Sequence, residues 1–246
     1  MSMSAARRVI LFLSIFALGI VTAGAQTRRK ARQTKPKPDE PKFEVTVTGA
    51  TGKEGERLLK ESARRAAVRG KFFEERGKCR DLLKARMLQG AETVCKSAVK
   101  LAEQLEAHSK LERSGAYEAV GHVMLGQHRY EEALEHYTRA LESGEPVLKE
   151  ADAELAQLYG NLAMTNHLLG RLDKALEQYR KAGKMYKAAY DEFGKDNRED
   201  DEWVQNMRQS YLNSLKTLLG YHRNAAQEAG TASEVEEVEK LLNSLP

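Results

Sequence analysis

Residues 130–140 read YEEALEHYTRA, and forty-two positions later residues 172–182 read LDKALEQYRKA. Both stretches keep an alanine, a tyrosine four residues on and a second alanine three residues after that: Ala133, Tyr137 and Ala140, then Ala175, Tyr179 and Ala182. Steps of four and three place each trio on one face of a helix. A coiled coil or simple bundle would carry large residues at every inward position. A stripe of small, aromatic, small instead suits a helix whose neighbours approach closely at the alanines. Extending the period backwards meets Ala91, Cys95 and Ala98, and a fourth series, Cys79, Gly121 and Ala163, stands twelve residues before each first alanine. Self-similarity at a fixed period of this size marks an array of supersecondary units.

Tyr117, Val120, Gly121 and Met124, followed by Ala133, Tyr137 and a slightly late Pro146, fill the pattern W-x2-L-G-x2-Y, A-x3-F, P; so do Tyr159, Leu162, Ala163 and Asn166, followed by Ala175 and Tyr179. In these positions the chain resembles the tetratricopeptide repeats. The copy before them keeps Cys79, Leu82, Ala91, Cys95 and Ala98, with Glu75 and Lys78 where apolar residues are expected. The resemblance implies an all-α fold, an α-solenoid of stacked antiparallel helical hairpins. The period exceeds the usual 34 residues by about two helical turns, which implies long helices. In that register Gly121 is expected to face Ala133, with Tyr137 filling the space between them and Ala140 making room for the next hairpin. Turns are expected near Gln127-His128 and at Gly170, and Gly144 and Gly194 read as C-terminal caps. The acidic run 197–202 suits the start of a further helix. Ser233 and Glu236 form a capping box for a last short helix whose glutamates face outward, as a terminal repeat needs.

Composition agrees with a helical chain. Of five prolines in 246 residues, Pro36, Pro38 and Pro41 share one short segment and Pro246 ends the chain. Pro146 is alone in between. Residues 1–25 read as an export signal: Arg7 and Arg8, an apolar run from Val9 to Val21, and the small-x-small site Ala23-Gly24-Ala25, with Gln26 as the mature N-terminus. The alternative is an uncleaved anchor, since the 17 residues from Val9 to Ala25 are at the lower limit of a span. Residues 26–42 hold seven Lys/Arg against two Asp/Glu and almost nothing apolar, which predicts a disordered basic tether. Removing +2 for the signal and +5 for the tether from the total of +4 leaves about −3 for residues 43–246. Residues 43–70 read as a short extended arm, FEVTVTG at 43–49, and a leading helix, and the solenoid is assigned to 71–246. The glycines at 49–55 do not have phosphate-loop spacing and read as a cap for a helix beginning near Glu54.

If the first hairpin turns where the others do, Cys79 and Cys95 lie opposite each other. Two readings follow: a disulfide, feasible in an exported protein and contributing on the order of 3 kcal/mol for a closed loop of about 15 residues, or two small core residues. Catalytic patterns are missing from the sequence. His108, His122, His128, His136, His167 and His222 have neither His-Glu-x-x-His spacing nor a cysteine partner set, and no serine sits in a nucleophile elbow. The chain is expected to be no enzyme and to use no metal or cofactor. What the resemblance implies is a concave face, lined by the first helix of each repeat, that holds a protein or peptide partner. By register this face comprises Phe73, Arg76, Arg80, Lys84, Glu118, His122, Leu125, Gln157, Met164 and His167. A small-molecule substrate or nucleic acid is not the expected partner. The expected location is the periplasm or the extracellular space. The alternative is a membrane- or envelope-attached assembly factor, held by the uncleaved N-terminus or by peripheral contact of the tether.

Overall fold

The computed structural model describes residues 52–106, 109–148, 152–193 and 202–246. The readings made for residues 1–51, His108, Gly194 and the acidic run up to residue 201 lie outside them. The described residues form α1 (Lys53–Lys84), α2 (Leu88–Glu103), α3 (Lys110–Gly126), α4 (Tyr130–Gly144), α5 (Ala153–Leu168), α6 (Leu172–Phe193), α7 (Glu202–Glu228) and α8 (Ala232–Ser244), with no strand among them. Each helix packs chiefly against the one before and the one after it, α1 on α2, α2 on α3 and so on to α8. This is the all-α solenoid of stacked hairpins that the repeat implied.

Residues in the left-handed region close the turns, and they keep the period. Arg86 (φ 56°), His128 (φ 62°) and Gly170 (φ 71°) stand forty-two residues apart. At each, the next N–H returns to the carbonyl five residues earlier, as in Met87 to Leu82, Arg129 to Met124 and Arg171 to Asn166. These bonds satisfy carbonyls that a helix end leaves without partners, and they offset the steric cost of φ > 0 at Arg86 and His128. The last turn, at Gly230 (φ 71°), uses the same bonds but comes sixty residues after Gly170. The period breaks there because α6 and α7 have grown to 22 and 27 residues.

Residues equidistant from a turn meet across the hairpin, and the contacts fix the register. Gly121 faces Tyr137, not Ala133: a Cβ at 121 would lie 2.6 Å from Cε1 of that ring. Tyr137 is fully buried and its hydroxyl bonds His122 Nδ1 at 2.9 Å. Ala163 and Tyr179 occupy the same register in the third hairpin, and both are buried. In the first hairpin that pair is Cys79 and Cys95, joined by a disulfide across a sequence separation of 16. Ala91, Ala98, Ala133, Ala140, Ala175 and Ala182 are all buried beside these pairs.

A second repeated device joins successive hairpins. Tyr117 Oη donates to Glu103 at 2.6 Å under the Arg139 guanidinium, and forty-two residues later Tyr159 Oη donates to Glu145 at 2.5 Å under Lys181, whose Nζ is 4.0 Å from the ring centroid. Each latch ties the start of a first helix to the end of the preceding second helix.

Two capping expectations are corrected. Gly144 is not a left-handed cap; it is the buried last residue of α4, and a Cβ there would lie 2.7 Å from Ser114 Oγ, which donates to the Ala140 carbonyl. Its glycine is required by close approach. The Ser233/Glu236 box does not form either, because α8 already begins at Ala232, after Thr231, without a side-chain cap. The turn bonds from Thr231 to Ala226 position that start. Finally, the leading helix and the first helix of the first repeat are one continuous helix. Glu54 and Glu56 favour its positive end, which follows Gly52 (φ 75°). Since α2 has half the length of α1, the first half of α1 has no hairpin partner among the described residues and is exposed nearly throughout.

Candidate partner-binding face

The first helices of successive hairpins lie side by side, α1 against α3 and α5 against α7. Glu118 on α3 is the centre of the face they form. It accepts hydrogen bonds from Gln157 (2.8 Å) and Asn161 (3.1 Å) of α5, and His122 Nε2 lies 3.6 Å away. Arg76 approaches from α1 and rests on the bare backbone of Gly115, where a Cβ would lie 3.3 Å from its guanidinium. Burial pulls the Arg76 pKa down, while Glu118 opposes that shift most strongly among the nearby charges. A half-buried cation and a half-buried carboxylate therefore hold three helices in one arrangement.

The structure divides the ten residues assigned to the face by register. Phe73, 40% exposed, presents its ring to solvent beside Phe72 and under Arg69. Lys84 is exposed; Arg80 is partly so, with Asp81 3.7 Å away. Arg76, Glu118, His122 and Gln157 are partly buried and engage one another or the core. His167 bonds Glu228 of α7 at 3.1 Å and meets Tyr179 edge-on. Leu125 and Met164 belong to the core, each only 7% exposed. The helical spacing that placed them on the inner side could not separate a residue on the ridge from one turned beneath it.

Next to this face, a cleft of about 540 Å³ opens between the free half of α1 and the turn after α2. Leu58, Ser62, Ala66 and Leu105 line its floor, and the ion pairs Arg65–Glu106 (2.8 Å) and Arg69–Glu112 (3.2 Å) stand at its wall. At the opposite end of the solenoid, Arg180 binds Glu234 at 2.7 and 2.9 Å, and Glu234 accepts from His222 at 2.6 Å. The Tyr179 ring stacks on His222. Arg180 holds the Glu234 carboxyl below its usual range, and burial lowers the His222 pKa. Reading Glu234 as an outward glutamate missed this lock, since its partners come from α6 and α7.

Among the described residues no three His, Cys, Asp or Glu side chains are placed to hold a metal, and no helix is long and apolar enough to cross a membrane. Residues 112–188 match the family model described as tetratricopeptide repeat, a span from α3 into α6 that begins after the disulfide-closed hairpin. No curated protein matches the chain. Among solved structures it is similar to the crystal structure of BtubC (BKLC) from P. vanneervenii, at 15% identity and a TM-score of 0.40, over 75% of this chain and 90% of that one.

Proposed function

We propose that this chain, whose residues 112–188 are tetratricopeptide repeats, works as an exported, noncatalytic scaffold that holds a protein or peptide partner on the face formed by α1, α3 and α5. Such repeats mediate protein–protein interaction, and the reading adds a place and a compartment. The observation that carries it is the Glu118 junction. Side chains of three successive first helices converge there, so the face is pre-organised, while Phe73, Arg80 and Lys84 stay accessible beside it. An exposed aromatic ring flanked by cations is a suitable anchor for a polypeptide.

Export is supported by the signal-like residues 1–25 and by the place of the two cysteines, because a buried disulfide persists in an oxidising compartment. The second reading, a membrane- or envelope-attached assembly factor, is favoured by the basic residues 26–42. Fractionation separates the two: mature protein starting at Gln26 and extractable by salt supports the scaffold, and carbonate-resistant association supports the anchor. The binding test is a crosslinking pull-down from the native envelope beside a Phe73→Ala, Arg80→Glu, Lys84→Glu variant. Partners lost by the folded variant support this face; partners kept by it move the binding surface elsewhere.

A further inference from the structure

We propose that the outward edge of α1 is a docking surface for the headgroups of an anionic lipid bilayer. Lys53, Arg57, Lys60, Arg64, Lys71 and Lys78 follow one another at steps of four, three, four, seven and seven residues. On a helix of 3.6 residues per turn these steps keep all six within about 60° of one another, in a line about 38 Å long. All six are exposed. Arg57, Lys60 and Lys78 hold Glu54, Glu56 and Glu74/Glu75 of their own helix. Lys53, Arg64 and Lys71 join no ion pair among the described residues. Glu75 stands at the border of the line and is the one carboxylate within its arc.

Two features favour a lipid surface as the occupant. A straight row of cations on a helix with no hairpin partner over its first half among the described residues fits a plane, where each Lys or Arg near anionic headgroups contributes independently. The same sign of charge also continues upstream: residues 26–42 carry seven Lys/Arg, and the apolar run of Val9 to Val21 precedes them. From residue 43 onward the net charge is about −3, so the row and the tether stand against a body whose overall charge does not favour an anionic surface. Phe73 and Arg80 lie roughly opposite the row around α1, so docking leaves the partner face free.

The test is flotation of the full chain with phosphatidylcholine vesicles, with and without phosphatidylglycerol, at low and high salt. The apolar N-terminal run can bring the chain to any vesicle, so the readout is the ratio of anionic to neutral binding. A Lys53→Gln, Arg64→Gln, Lys71→Gln variant breaks no ion pair and should melt like the parent. Its ratio should fall on the order of 100-fold at low salt, about fivefold per cation, and high salt should remove the difference. The proposal is overturned if the variant keeps the parental ratio, if replacing the seven tether cations alone abolishes it, or if the parent has no anionic preference. It is equally overturned if the three sites govern binding to DNA or to polyglutamate while vesicle binding is unchanged.

Discussion

Gly121→Ala tests the hairpin register with a single carbon atom. The new Cβ would lie 2.6 Å from Cε1, 2.7 Å from Cδ1 and 3.0 Å from Cζ of Tyr137, a fully buried ring whose hydroxyl is tied to His122. Neither the ring nor the α3 backbone can move away freely, so overpacking should cost about 1–3 kcal/mol. Alanine's better helix propensity returns about 1 kcal/mol. With contacts this short, the net loss should be about 1–2 kcal/mol, read in a thermal melt as a Tm lower by roughly 2–8 °C. Gly77→Ala on α1 is the control: a Cβ there meets nothing within 4 Å, so the propensity gain acts alone and stability should rise by up to about 1 kcal/mol. Tyr137→Leu in the Gly121→Ala background should recover part of the loss, because it withdraws the ring. If Gly121→Ala melts at or above the parent, as Gly77→Ala should, then the crossing pair is not Gly121 with Tyr137 and the argument for the turn positions fails with it.

Reducing Cys79–Cys95 should lower stability by on the order of 3 kcal/mol, with hydrogen-exchange protection lost first in α1 and α2; equal loss across all helices would show that the first hairpin is not a separate unit. Leucine at Ala133 or Ala175, both without exposure, should cost about 1–3 kcal/mol in a denaturant titration, and unchanged midpoints would contradict the close helix approach. Acid should loosen α8 in two steps. The pKa of His222 lies below its usual 6.5 because of burial, so the unfolded chain binds a proton that the folded chain resists, and stability falls as pH drops below about 6.5. Glu234, held below 4.5 by Arg180, contributes stability that is present above 4.5 and lost as pH falls through its folded pKa. His222→Gln should shrink the upper step in pH-dependent melts, leaving the part that His136 contributes through its own buried ring, and should leave the lower step; a parent with constant stability between neutral pH and about pH 5 would refute the assignment.

The fold was legible because one period runs through the small residues, the tyrosines and the turns. Cys79, Gly121 and Ala163 could be aligned by number alone, and the left-handed residues Arg86, His128 and Gly170 keep the same interval. The period could not report what happens where helix lengths change. After α5 the helices lengthen, so the turn at Gly230 and the start of α8 at Ala232 fell outside any alignment with earlier copies. Glycine was the other source of error. Sequence alone does not distinguish a glycine needed for φ > 0, as at Gly170, from one needed because Ser114 presses on its backbone, as at Gly144. The candidate face can be followed to the level of the helix and not the side chain. Leu125 and Met164 lie one turn or less from the partly exposed His122 and His167 and still belong to the core.

The first hairpin shows what the period means physically. Its sequence looked degraded, with Glu75 and Lys78 at positions that are apolar elsewhere, and the family match starts only at residue 112. Yet its turn falls at the expected place, and its crossing pair carries out the task of Gly121–Tyr137 by different means. A ring wedged against a glycine fills the gap between two helices and resists their separation through packing. A disulfide at the same register resists separation through a covalent bond and does not need the surrounding apolar shell. That shell is thin here. Among the described residues the first hairpin ends the solenoid, α1 extends beyond its partner, and Glu75 is partly exposed in an ion pair with Lys78 at 3.1 Å. Fewer apolar neighbours and a disulfide therefore go together at this end of the described stack. A Cys95→Tyr, Cys79→Gly exchange, which copies the second hairpin's pair into the first, should restore less stability than the disulfide provides, because the ring would lack the apolar surroundings that make it effective at 137. If that variant matched the oxidised parent in a denaturant titration, packing at the end of the stack would be as complete as in its middle, and the link between the disulfide and the thin shell would be wrong.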